Sequence, residues 1–146
     1  MKRYLFVVLI IGLPGIYKAQ PPKIIGLLDG KTYTIEITED GKKKPLDDPD
    51  NVSFRTGKFK SALFLDWGAF KSAKYSVISV DSTNASAKVY SWTTTLENDQ
   101  KEKLVWSATI NGEEIEGTIE FVNSKGLTKR SYTFDGKEKK KPGKKT

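Results

Sequence analysis

Apolar and polar residues alternate with a period of two along most of the chain. From Thr32 to Thr38 the order is Thr-Tyr-Thr-Ile-Glu-Ile-Thr, which puts Tyr33, Ile35 and Ile37 on one face of a half-buried strand. The same pattern predicts strands over Val52–Phe54, Phe59–Leu65, Lys74–Val80, Ala85–Leu96, Lys103–Ile110, a stretch from Ile115 that Asn123–Gly126 closes, and Leu127–Phe134. Turn-forming runs separate them, including Glu39-Asp40-Gly41-Lys42, Thr56-Gly57-Lys58, Asp66-Trp67-Gly68 and Ser82-Thr83-Asn84. Asn111-Gly112 is the sharpest of these signals and predicts a type I′ hairpin, because both residues tolerate positive φ. No window holds the 3.6-residue helical period for three turns. The expected fold is therefore all-β, an antiparallel up-and-down barrel of about eight strands. A two-sheet β-sandwich is the alternative.

The alternation also predicts which side chains face inward. Tyr90, Trp92, Thr94 and Leu96 form one set, and Leu104, Trp106, Ala108 and Ile110 another. Ile115, Gly117, Ile119 and Phe121 follow, then Thr128, Arg130, Tyr132 and Phe134. The opposite faces carry Glu36, Lys88, Lys103, Glu116, Glu120 and Lys129, which belong in water. Small barrels of this kind either fill their interior with side chains or hold one small ligand.

The two ends of the chain depart from the pattern. Lys2 and Arg3 precede the apolar run Leu5–Ile11, Pro14-Gly15 break it, and Ala19 is small, so residues 1–19 read as a signal peptide cleaved after Ala19. The run is too short for a membrane span, which needs ~20 apolar residues. Residues 20–26 read as a linker, 27–134 as the barrel and 135–146 as a disordered lysine-rich tail. These features predict an exported protein, periplasmic or secreted, soluble and monomeric.

Charge changes the picture only after it is located. The chain has 146 residues, 25 Lys and Arg, 18 Asp and Glu, and a formal net charge of +7. That excess lies in the first 19 residues and the tail, and residues 20–134 balance. A nucleic-acid binder carries its basic residues on a folded face, so that partner is not expected. The tail could instead make weak contact with an anionic surface. With no Cys and no His, disulfides, Cys or His metal sites and Ser-His-Asp relays are excluded. No cofactor is expected. Asp47, Asp48 and Asp50 crowd one loop without the spacing of a calcium loop and read as a solvated turn. Glu113, Glu114 and Glu116 read as solubilising edge charges. No carboxylate pair is placed for catalysis, so no enzymatic activity is expected.

Leu28-Asp29-Gly30-Lys31-Thr32-Tyr33, Asp50-Asn51-Val52-Ser53-Phe54, Gly57-Lys58-Phe59-Lys60-Ser61 and Trp67-Gly68-Ala69-Phe70 follow one another in that order. Over residues 27–134 this resembles the small exported lipocalin-like (calycin) barrels of bacteria of the Bacteroidetes type. The resemblance implies a carrier of a small apolar or amphiphilic molecule. Arg130-Ser131-Tyr132 is similar to the Arg-x-Tyr pair with which fatty-acid-binding barrels hold a carboxylate, and a guanidinium with a neighbouring phenol suits that task. Arg130 has two other readings: a latch stacked on Tyr33 or Trp106, as in lipocalins, or an exposed residue at the barrel rim. Tyr33, Tyr75, Tyr90, Trp92 and Trp106 either line a pocket with Arg130 and Tyr132 or are the bulk that fills the barrel. Trp67 and Phe70 are expected to fold over one open end. The alternative to a carrier is a filled barrel that docks on a partner or an envelope surface through its loops and tail.

Overall fold

Side chains that alternate in sequence end up on the two sides of one closed wall. The computed structural model describes residues 26–84 and 86–143. Among the described residues the strands are β1 (Thr32–Glu39), β2 (Asp50–Arg55), β3 (Lys58–Ser61), β4 (Ala73–Asp81), β5 (Val89–Glu97), β6 (Lys103–Asn111), β7 (Glu114–Val122) and β8 (Thr128–Glu138), with one short helix, α1 (Ala62–Gly68), between β3 and β4. Each strand pairs antiparallel with its neighbours in sequence, and β1 pairs with β8 from Tyr33↔Glu138 to Glu39↔Tyr132, so the sheet is a closed up-and-down barrel. The sandwich alternative is set aside by that closure, which leaves no open edge at either terminal strand. No helix among the described residues is long and apolar enough to cross a membrane.

The inward sets meet in one core. Rings from facing walls touch across the barrel axis: Phe59–Trp92 and Phe59–Trp106 have centroids 4.9 Å apart, and Trp106–Phe134 5.1 Å. Phe54 joins them from β2, 4.9 Å from Trp92 and 5.0 Å from Tyr75. The interior is occupied by aromatic bulk, and the larger concavities lie on the outside of the wall or at its rim.

Four expectations are corrected. The strand expected over Phe59–Leu65 stops at Ser61, where α1 begins. Ser61 is extended and its hydroxyl accepts the Phe64 N–H, while Asp50 accepts the Ser61 hydroxyl and the Leu63 N–H. Asp50 is therefore wholly buried rather than part of a solvated turn. Asn111 and Glu114 are paired across the turn, so its central residues are Gly112 and Glu113, and of these only Gly112 takes a positive φ, 60. That is the type II′ arrangement; the type I′ turn is instead Thr56-Gly57, with φ 52 and 70 between the paired Arg55 and Lys58.

The fourth correction concerns the tail. β8 runs to Glu138, so Asp135–Glu138 belong to the wall and not to a disordered end. Gly136 makes this possible, because a Cβ there would collide with the β1 backbone at Thr34 and Ile35. Glu138 pairs with Lys31 at 3.2 Å, Lys139 donates its N–H to the Thr32 carbonyl, and Lys140 reaches Glu113 at 3.1 Å. The expected signal peptide, linker residues 20–25 and the last three residues lie outside the described residues.

Candidate functional site

The barrel has two unlike ends. The turn end gathers the β2–β3, β4–β5 and β6–β7 connections and is closed by Leu28, whose N–H is accepted by the Tyr75 hydroxyl at 3.0 Å. That hydroxyl donates to Asp29 at 2.9 Å, and Asp29 also accepts the Gly57 N–H at 3.0 Å. Burial and the Asp29 carboxylate push the Tyr75 phenol up to about 12. Tyr75 is thus a strut between the chain entry and the β2–β3 turn. Tyr33, Trp92 and Trp106 are wholly buried within the core, and Tyr90 packs half-buried against it. Among the described residues, the Tyr33 hydroxyl and the Trp92 and Trp106 indole N–H groups have no hydrogen-bond partner.

The helix end is different. Its lid is built locally: the Ser61 cap and Asp50 hold the start of α1, and Ala69 ends it with φ 55 and an N–H to the Leu65 carbonyl. Gly68 leaves room for the Phe70 ring, which a Cβ would meet at 2.7 Å. Phe70 therefore folds inward as the plug expected from the sequence. Trp67 does not; it is 55% exposed. Asn98, 3% exposed, ties the β5–β6 turn to this lid, donating to the Gly68 carbonyl at 3.1 Å and the Glu102 carboxylate at 2.9 Å.

Between lid and wall lies a cleft of about 220 Å³ lined by Phe64, Trp67, Phe70, Phe121, Tyr132, Arg130, Gly68 and Glu102. Phe64 connects it to the core, with Trp106 at 6.0 Å and Tyr132 at 6.1 Å. Arg130 is directly opposite Phe121 at a β-bulge that shifts the register before Val122. Its strand position points inward, as the alternation predicts, but above the Phe64–Phe70 plug, so the guanidinium is exposed. Tyr132 and Glu39 beside it favour its charged form and raise its pKa. Arg130 is a rim residue. The latch on Tyr33 is ruled out by position, since Tyr33 pairs with Glu138 at the turn end.

Of the residues nominated from the sequence, the structure brings Arg130 and Tyr132 together at an accessible site. Tyr33, Tyr75, Trp92 and Trp106 are placed in the filled interior. Phe64, Phe121 and Glu102 were not nominated; only Ser61 before a run of helix formers could have pointed to α1 and hence to Phe64. Among the described residues no cluster of three or more acidic side chains is arranged to hold a metal ion. Comparison of the chain with protein-family models, curated proteins and solved structures finds no match.

Proposed function

We propose that the protein is an exported, non-catalytic, lipocalin-like barrel that binds from its surface, recognising the apolar, carboxylate-bearing end of a small amphiphile or of a partner segment at the lidded cleft. One observation carries this reading: the interior is filled by rings, while the helix end offers an exposed indole and an exposed guanidinium in one cleft, with the mostly buried Tyr132 phenol lining it beside Arg130. A cleft of about 220 Å³ is smaller than the ~300–1,000 Å³ of pockets that enclose a whole ligand. It suits one end of a longer molecule. The aromatic walls supply apolar contact, and Arg130 with Tyr132 supplies donors for a carboxylate.

The carrier reading, with the ligand inside, is favoured by a different observation: the orphaned Tyr33 hydroxyl and the Trp92 and Trp106 N–H groups, which an enclosed polar molecule would satisfy. Octanoate, octanol and octyltrimethylammonium separate the readings when titrated with the indole N–H signals followed by NMR. The surface reading expects octanoate alone to shift Trp67, and Arg130→Gln to weaken it about tenfold or more, as for a lost charged hydrogen bond. Equal binding of octanol, or shifts confined to Trp92 and Trp106, refutes it. Native mass spectrometry of the protein from its source checks for an enclosed molecule.

A further inference from the structure

The balanced charge of residues 20–134 conceals a sorted surface. Arg55, Lys58 and Lys74 are directly opposite one another across β2, β3 and β4, so three cations stand in a row on the outer wall. Lys60 lies on the same face two residues along β3, opposite Ser53. All four are exposed, and among the described residues none is ion-paired. The nearby turn carboxylate, Asp29, is taken up by Gly57 and Tyr75. On the other side, Glu116, Asp135 and Glu36 are directly opposite one another across β7, β8 and β1. Like charges directly opposite in a sheet destabilise it, so a counter-charge from outside the chain would relieve each row.

We propose that the Arg55–Lys58–Lys60–Lys74 face docks the barrel on an anionic phospholipid bilayer. Magnitudes decide against the simplest rival, a second copy offering its acidic row. Three exposed ion pairs in fixed register contribute at most about 1 kcal/mol each, short of the 4–15 kcal/mol that association of two proteins costs. A bilayer presents a continuous field of phosphates, so every cation contributes in any register, and the acidic row on the far wall orients the barrel. The face carries hydroxyls at Ser53, Thr56 and Ser72 but no aromatic ring, so it lacks the stacking platform of single-strand nucleic-acid binders.

The test uses the chain from Gln20 onward, which holds the whole closed barrel, with sedimentation against vesicles of phosphatidylglycerol and phosphatidylcholine. Each cation removed near an anionic surface lowers partitioning about fivefold, so Lys58→Gln with Lys74→Gln should lower it about 25-fold. The same pair should leave the melting temperature unchanged or raised, because a repulsion is relieved. A chain ending at Lys139 should keep most of its binding, and 1 M salt should abolish it for both. The proposal is overturned if the double variant binds like the parent while the shortened chain does not. It is also overturned if duplex DNA binds and vesicles do not, or if sedimentation shows self-association that either row's neutralisation removes while vesicles are ignored.

Discussion

Replacing Tyr33 by Phe should stabilise the protein. The side chain is wholly buried, its ring packs edge-on to Phe54 at 6.3 Å, and its hydroxyl has no hydrogen-bond partner among the described residues. A buried polar group left unsatisfied costs about 1–3 kcal/mol in desolvation. Tyr33→Phe removes that cost and keeps the ring. The void it leaves is about one oxygen, which at ~24 cal/mol per Å³ subtracts only a few tenths of a kcal/mol. The net expectation is a gain of about 1–2 kcal/mol, or roughly 4–8 °C in melting temperature for a domain near this size. Urea melts report it as a higher midpoint at unchanged slope. A loss of 1 kcal/mol or more would refute the reasoning, because it would mean that the hydroxyl has a partner in solution. That partner would be a buried water or an enclosed molecule, so the same melt also weighs the carrier reading against the filled barrel.

Alkaline pH should destabilise the fold. Burial, with Glu138 and Tyr90, raises the Tyr33 pKa, and Tyr75 is pushed up to about 12. Above the unfolded value near 10 the unfolded chain loses these protons first, so stability is full below about pH 10 and falls above it; melts of Tyr33→Phe across pH 8–11 should show a shallower fall than the parent. Asp50→Ala strands the Ser61 hydroxyl and the Leu63 N–H and should cost about 2–3 kcal/mol, with Trp67 fluorescence reporting a loosened lid; an unchanged melt would show that α1 does not depend on this clamp. Thr56→Asn should gain a few tenths to 1 kcal/mol by relieving a β-branched residue at φ 52, whereas Gly112→Val should lose stability at φ 60. Denaturant midpoints that move the other way would overturn the turn assignments.

How much of the fold was legible follows from what each signal depends on. Strand alternation is local and is enforced by burial of one face, so the sets around Ile35, Trp92, Trp106 and Ile119 could be read directly; their apolar members lie in the core, with Tyr90 and Phe121 half-buried against it. Turn type depends on which of two adjacent residues takes positive φ, and composition alone favoured Asn111-Gly112 over Thr56-Gly57. The tertiary frame chose otherwise. The helix was hidden because Leu63 and Leu65 continue the alternation that starts at Phe59, and the decisive partner of Ser61 is Asp50, eleven residues earlier. The end of β8 was hidden by its composition: Asp135-Gly136-Lys137-Glu138 has no apolar side chain, yet pairing with β1 and the close approach at Gly136 hold it in the wall.

The candidate site was legible only in part, for a related reason. Alternation gave the side of the wall on which Arg130 lies but not its height along the barrel, and height decides whether an inward cation is a cavity anchor or a rim residue. Height is set by the plug, because Phe64 and Phe70 fill the mouth below Arg130 and leave the guanidinium outside. The charge rows show the same limit. Counting found sixteen bases and sixteen acids between residues 20 and 134, a neutral sum. Only the registers Arg55↔Lys58↔Lys74 and Glu116↔Asp135↔Glu36 reveal two opposed charged rows on the wall. A surface of this protein is therefore a property of strand pairing. Substitutions that leave the net charge fixed, such as exchanging Lys58 with Glu116, should alter its behaviour toward an anionic bilayer as much as removing charge altogether.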